Sequence, residues 1–174
     1  DIGTAGATGL LLQTVHLPLV LCPAPSTVAI IGGTHVPQSP CFHYLDRLWR
    51  PVLAECGMDL RLAMPRAGFY PPGGGVIEAE IEPTTRVRPL QRVERGRLER
   101  LQVVSAAARL PSHVALRQRD AALRGTASLD VTCGTELETL TAASPGSMLL
   151  ILAEFETAAA CFFSLGARGK PAER

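Results

Sequence analysis

Histidines, cysteines, a carboxylate-lined strand and glycine-rich loops are the places where this chain could do chemistry. The four histidines, His16, His35, His43 and His113, are scattered. Cys41 and His43 stand two apart, the separation of a chelating pair. A zinc-type site presents a second pair of ligands, and none accompanies this one, so no metal ligand is assigned from spacing. A Ser-His-Asp or Cys-His arrangement has no local signature such as Gly-x-Ser-x-Gly to support it. Glu78, Glu80 and Glu82 share one face of an alternating segment, where paired carboxylates could exchange protons. The plainer reading, a solvated strand face, is preferred because no pocket is suggested nearby.

The glycine loops carry more. Gly32-Gly33-Thr34 follows a short apolar run, and Pro71-Pro72-Gly73-Gly74-Gly75 precedes another. Glycine lets a backbone approach a phosphate and aim its N–H groups at it. Neither loop is a P-loop, because the Gly-Lys at Gly169-Lys170 is followed by Pro171. Gly3, Gly6 and Gly9 are spaced differently from a dinucleotide fingerprint. From spacing alone, turn chemistry accounts for both loops.

The elements that must position these residues read as follows. Thr4 to about Val20 predicts a helix, capped by Thr4. Thr27–Ile31 predicts a strand. Ser39 as N-cap and Pro40 as first helical residue predict a second helix. Its apolar face is Phe42, Leu45, Trp49, Val52 and Leu53, and Gly57 is its C-cap. Leu60–Met64 and Val76–Glu82 predict strands, the second with Ile77, Ala79 and Ile81 inward. Residues 1–83 therefore read α-β-α-β-β, with two helices on one face of a small sheet.

The stretch Thr84–Arg100 holds Arg86, Arg88, Arg92, Arg95, Arg97 and Arg100 and reads as a boundary. Beyond it, Leu101–Ala107, a helix over Pro111–Leu123 ended by Gly125, Val131–Glu138, Met148–Phe155 and Cys161–Leu165 give β-α-β-β-β. The expected domains are 1–92 and 93–174.

Composition sets the limits. Hydrophobic residues make up 47% of 174, ample for a packed core. The net charge of +1 favours no partner class by itself. Lys170 is the lone lysine. Arginine forks suit phosphate, although an arginine- and alanine-rich chain also follows from genome composition alone. An odd cysteine count without Cys-x-x-Cys argues against a disulfide framework and for a reducing cytoplasm. The apolar run Leu10–Leu21, broken by Gln13, His16 and Pro18, is too short and polar to span a bilayer. An opening on Asp1 without methionine, and an ending on Lys170–Arg174 that reads like a helix start, suggest a piece of a longer protein.

Three strings together resemble the RNA 3′-terminal phosphate cyclase family. They are Thr4–Thr14 (TAGATGLLLQT), Gly32–Pro40 (GGTHVPQSP) and Gly68–Ile77 (GFYPPGGGVI). Glu94-Arg95-Gly96 and Leu165–Gly169 are weaker matches in the same order. Where the family signature has a basic residue before its first glycine, this chain has Ala67, with Arg66 one position earlier.

The resemblance implies an α/β (α+β) fold. Residues 1–92 would be part of the large cyclase domain, one βαβαββ unit like the C-terminal domain of translation initiation factor three, without its first strand. Residues 93–174 would be a smaller thioredoxin-like α/β insert domain, cut before its last helix. It also implies an ATP-dependent reaction on RNA 3′ ends, with a divalent metal, Mg or Mn, beside the nucleotide. A histidine attacks the α-phosphorus of ATP, AMP passes to the RNA 3′-phosphate, and the vicinal 2′-hydroxyl displaces AMP to leave a 2′,3′-cyclic phosphate. That histidine matches none of the four here and is expected beyond Arg174. Gln13 matches a glutamine that touches the adenylate, and Pro40 a proline lining the same pocket. Their plainer readings are a polar residue on a buried helix and a helix-starting proline. The resemblance also admits a non-catalytic relative that acts as a binding factor in ribosome assembly.

Overall fold

The computed structural model describes residues 1–173 of the chain. It is a mixed α/β structure with two sheets. It divides into two compact units, Asp1–Gln91 with Thr141–Ser144, and Arg92–Leu140 with Pro145 onward.

In the first unit the opening helix α1 spans Thr8–Val20, not Thr4–Val20. Residues before it run alongside the first strand, β1 (Ser26–Gly32). Ile2 N–H donates to the Ile31 carbonyl at 2.9 Å, and Gly33 N–H donates to the Gly6 carbonyl at 2.7 Å. Thr8 then fixes the helix start by donating both its N–H (3.0 Å) and its Oγ1–H (2.9 Å) to the Gly33 carbonyl. Backbone pairing with a distant strand thus overrides a local capping preference. Thr8, Leu12, His16 and Val20, four residues apart in turn, form the buried stripe of α1.

The sheet order is β1-β3-β2, with β2 at Leu60–Arg66 and β3 at Gly75–Ile81, all antiparallel. Ile77, Ala79 and Ile81 are buried, while Glu78, Glu80 and Glu82 are exposed. Glu80 faces Arg61 across the sheet at 3.4 Å. Water screens such a pair, so this carboxylate face serves solubility. Leu12, Val20, Ile30, Leu45, Met58, Leu60, Ile77, Ala79 and Ile81 make the core, with Trp49 half-buried against it. Each fully buried Leu or Ile there contributes about 1.5–3 kcal/mol of transfer free energy.

The second helical stretch begins at Phe42, with Cys41 as extended N-cap. The expected start at Ser39 and Pro40 is two residues early. Gln38 explains the delay: its φ of +60° is left-handed, a conformation that turns the chain before any helix can begin. The stretch is α2 (Phe42–Tyr44), a π segment (Leu45–Trp49) and α3 (Arg50–Glu55). Pro51 is the cause to look for. It lacks an N–H, and its ring would strike the carbonyl of Arg47 in a regular α-helix. The widened turn relieves this, and Arg50 N–H donates to the Leu45 carbonyl, five residues back. Gly57, at φ +82°, closes α3 as a left-handed cap.

The second unit has a four-stranded sheet in the order β5-β4-β6-β7. β4 is Leu98–Ala108, β5 Thr132–Thr139, β6 Gly146–Phe155 and β7 Ala159–Leu165. β5 runs parallel to β4, as the crossover through α4 (His113–Thr126) requires; the other pairs are antiparallel. Buried polar groups join helix to sheet. Ser105 Oγ–H donates to the Ala115 carbonyl at 2.9 Å, and Gln118 Nε2–H donates to Ser147 Oγ at 3.1 Å. Gly125 lies inside the last turn of α4 rather than just past it. The exit is a 3-10 turn (Ala127–Leu129) and a left-handed Asp130.

Candidate functional site

Pro40 packs against α1, the helix that carries Gln13. Gly9 is the link. A methyl group there would lie 2.6 Å from the Pro40 carbonyl oxygen and 3.3 Å from Leu45 Cδ1, so α1 and the loop before α2 meet with no room for a side chain. Gln13 is one turn beyond Gly9 on the same helical face. It is half-buried, and its side-chain amide makes no hydrogen bond to another described residue. Pro40 is half-buried and precedes the helix by two residues.

The glycine loops lie beside this point and pack on one another. A Cβ on Gly68 would collide with the Gly32 carbonyl and Gly75 N, and would sit 2.8 Å from Gly75 Cα. One on Gly75 would approach Thr34 Cγ2 at 2.7 Å, and one on Gly73 (φ +67°) would approach Ala5 Cα at the same distance. Apart from Thr34 Cγ2, the contacts are backbone against backbone. They make the loops of the signature a structural interlock between residues 4–6, 32–35 and 68–75.

Thr34 is the hub of that interlock. Its Oγ1 accepts the Gly68 N–H at 3.0 Å and lies 2.8 Å from His35 Nδ1. The Gly68 carbonyl accepts the N–H groups of Thr34 (2.9 Å) and His35 (3.0 Å). On its other side, His35 Nε2 is 2.9 Å from His43 Nδ1. The His35 ring also stacks on Phe69, with centroids 5.2 Å apart. Burial pushes the His35 imidazole down to about 3, helped by the neighbouring His43. Burial likewise pushes the Cys41 thiol up to about 11, against a smaller opposite pull from backbone N–H groups of the helix start. Histidines that look scattered in the sequence are therefore partly gathered. His35, Cys41 and His43 form one buried group whose nitrogen and sulfur atoms all lie within 4.8 Å. Sequence spacing displayed Cys41 and His43 but not His35, because the closing partner enters from the loop after β1.

The other two histidines stand apart. His16 is buried on α1 against Trp49, and His113 is exposed at the start of α4. Ala67 is buried, with its N–H donating to the Thr141 carbonyl at 2.8 Å. Arg66 beside it is exposed and donates from Nε to the Gly74 carbonyl at 2.6 Å.

The arginine-rich stretch is largely engaged within the chain. Arg88 donates to the Glu55 and Ala54 carbonyls at 3.1 Å each, covering the end of α3. Arg95 lies over the Phe155 ring at 4.6 Å. Arg97 pairs with Glu156 at 2.9 Å, and Arg100 grips Glu154 with two nitrogens. The Arg100 hydrogen bond holds the Glu154 carboxyl below the usual carboxylate range.

A family profile described as RNA 3′-terminal phosphate cyclase matches residues 1–163. A protein of that name from Methylococcus capsulatus is 39% identical over 99% of this chain and 48% of its own length. One from Ralstonia nicotianae is 40% identical over 99% and 49%. One from Methanopyrus kandleri is 38% identical over 99% and 51%. The chain spans about half the length of the curated relatives it matches. No helix among the described residues is long and apolar enough to cross a membrane.

Proposed function

Because the chain belongs to the RNA 3′-terminal phosphate cyclase family, we propose that it supplies the adenosine-binding wall of an ATP-dependent enzyme that converts RNA 3′-terminal phosphates to 2′,3′-cyclic phosphates. The observation that carries this reading is the meeting of α1 with Pro40. It leaves Gln13 half-buried on the face that Gly9 and Pro40 share, with no side-chain hydrogen bond among the described residues. An amide in that state is open to a partner from outside. An adenylate offers both donors and acceptors to an amide, and an apolar proline edge beside it suits a base or sugar.

The residues present fit a nucleotide at this place, and their part is binding and orientation. Gln13 positions, and Pro40 walls. The nucleophilic histidine is not among those of this chain. His16, His35 and His43 are buried, so none can reach a nucleoside triphosphate, and His113 belongs to the second unit. A histidine elsewhere in the protein attacks the α-phosphorus, AMP passes to the RNA 3′-phosphate, and the 2′-hydroxyl then closes the ring with release of AMP. A divalent ion, Mg or Mn, bound with the nucleotide would offset phosphate charge there. No residue of this chain is assigned to hold it.

In the same reading, residues 1–92 are part of the large cyclase domain and residues 93–174 its insert. The division of the structure after Gln91 and the parallel β4–β5 crossover support that assignment.

The test uses the whole protein, ATP and an RNA ending in 3′-phosphate. The expected product is an end resistant to phosphatase, formed only with ATP. Failure to cyclise that end, with the protein folded and ATP bound, would overturn the reading. The chain by itself should form no covalent AMP adduct, and labelled AMP trapped on His16, His35, His43 or His113 would place the nucleophile here instead.

A further inference from the structure

A second group of chemically able side chains is used by nothing above. His35 leaves the loop after β1, Cys41 is the N-cap of α2, and His43 sits in its first turn. Their relative exposures are 1%, 0% and 3%. Their donor atoms converge, His35 Nε2 and His43 Nδ1 at 2.9 Å and Cys41 Sγ within 4.8 Å of both. We propose that His35, Cys41 and His43 form a closed site for one soft metal ion, Cu(I) in preference to Zn(II), separate from any ion that accompanies a nucleotide.

Donor chemistry selects the class of ion. Two imidazoles and a thiolate suit soft and borderline cations and reject Mg and Ca, which take oxygen ligands. Coordination number and charge then narrow it. The group offers three donors, with no fourth His, Cys, Asp or Glu among the described residues in it. Zinc held by three protein donors completes its tetrahedron with water, and this group is closed to solvent, whereas monovalent copper is content with three donors. A monovalent ion and one thiolate also sum to zero. A divalent ion would leave a net positive charge in a core that excludes water, which is costly.

The surroundings already resemble an outer shell. A metal-bound imidazole needs its other nitrogen held, so that the ring keeps its orientation and tautomer. Thr34 Oγ1 is 2.8 Å from His35 Nδ1 and is itself fixed by the Gly68 N–H. Phe69 stacks on the same ring. With Nδ1–H directed at Thr34, the lone pair of His35 Nε2 points at His43. A trigonal centre with metal–nitrogen bonds of about 2 Å asks the two nitrogens to part by about half an ångström, and Cys41 Sγ to close to about 3.7 Å from each. The protons balance. The thiol proton leaves to solvent, the proton shared between the rings moves to the outward nitrogen of His43, and no electron is transferred.

The experiment takes the whole protein, stripped with chelator and fully reduced, without nucleotide. Cu(I) is titrated anaerobically against a bicinchoninate competitor, and Zn(II) and Co(II) are offered in parallel. One Cu(I) per chain should resist the competitor, and X-ray absorption should give a shell of two nitrogens and one sulfur. Cys41→Ser should weaken retention by at least about tenfold, the change expected of losing one ligand, while Cys133→Ser leaves it unchanged. Co(II) bound more tightly than Cu(I), with the visible bands of a tetrahedral ion, would overturn the choice of ion. No retained metal, or equal retention by Cys41→Ser, would overturn the site. Should Cys41→Ser fail to fold, the wild-type absorption shell still decides, because a shell without sulfur excludes Cys41.

Discussion

The ring of His16 meets the ring of Trp49 edge-on, with centroids 5.1 Å apart and planes 70° from parallel. His16 Nε2 is buried there and has no hydrogen-bond partner among the described residues, and burial lowers the imidazole below its usual range. The folded state therefore holds His16 neutral while the unfolded chain protonates it below about 6.5. Between those two points the unfolded state binds more protons, so stability is full above that pH and falls as pH falls. The expected result is a melting temperature that drops from about pH 7 to about pH 5, and drops less in His16→Phe. An unchanged slope in that variant would assign the acid sensitivity elsewhere. Trp49, the chain's one tryptophan, reports the same contact by fluorescence.

Gln13→Ala in the whole protein should raise the ATP concentration needed for half-maximal adenylylation by several-fold. The reason is the loss of one uncharged hydrogen bond, worth about 0.5–1.5 kcal/mol net. Its melting temperature should not move, because the Gln13 side chain has no hydrogen-bond partner among the described residues. Lower stability with normal ATP dependence would show a structural role instead.

Gly68→Ala and Gly125→Ala should have opposite signs. At Gly68 a methyl group collides with backbone atoms of Gly32 and Gly75, which cannot swing aside, so a loss of about 1–3 kcal/mol or more is expected. At Gly125, exposed in α4, nothing lies within 4 Å, and alanine should stabilise by about 0.5–1 kcal/mol. Urea unfolding of the two variants checks both signs.

Limited trypsin digestion should cut first after Arg86, Arg92 or Arg95. All are exposed, and residues 82–97 form no helix or strand. Arg88 is spared because Pro89 follows it. Early cleavage after Arg47 would contradict the packing of the second helical stretch.

The element order was legible because it rests on local patterns. Ile77, Ala79 and Ile81 alternate with glutamates, and Gly57 stands where a left-handed cap must. Errors arose where distant backbone decides. Thr4 is a good cap by type, but the chain around it is held along β1 through Gly6 and Ile2. Ser39 and Pro40 suit a helix start, but Gln38 turns the chain first. The π segment was written in Pro51, whose effect shows only once the helix around it is drawn. Likewise the meeting of α1 with Pro40 depends on Gly9 having no side chain, which sequence shows without saying what would fill the space. The gathering of His35 with Cys41 and His43 depends on where a loop closes, and no spacing rule encodes that.

The sheet orders bear on the sequence of events during folding. β6 and β7 are joined by a short turn, and β2 and β3 by one loop, so these two hairpins cost the least chain entropy to close. β1 must wait for β3, which arrives after the intervening helical stretch and β2, and β5 reaches β4 only once α4 has crossed over. Non-local pairings of this kind slow folding. Pulsed hydrogen exchange should therefore find the amides of β6 and β7 protected before those of β1, and the glycine interlock, which joins the chain's first residues to the loop before β3, should be among the last features of its unit to form.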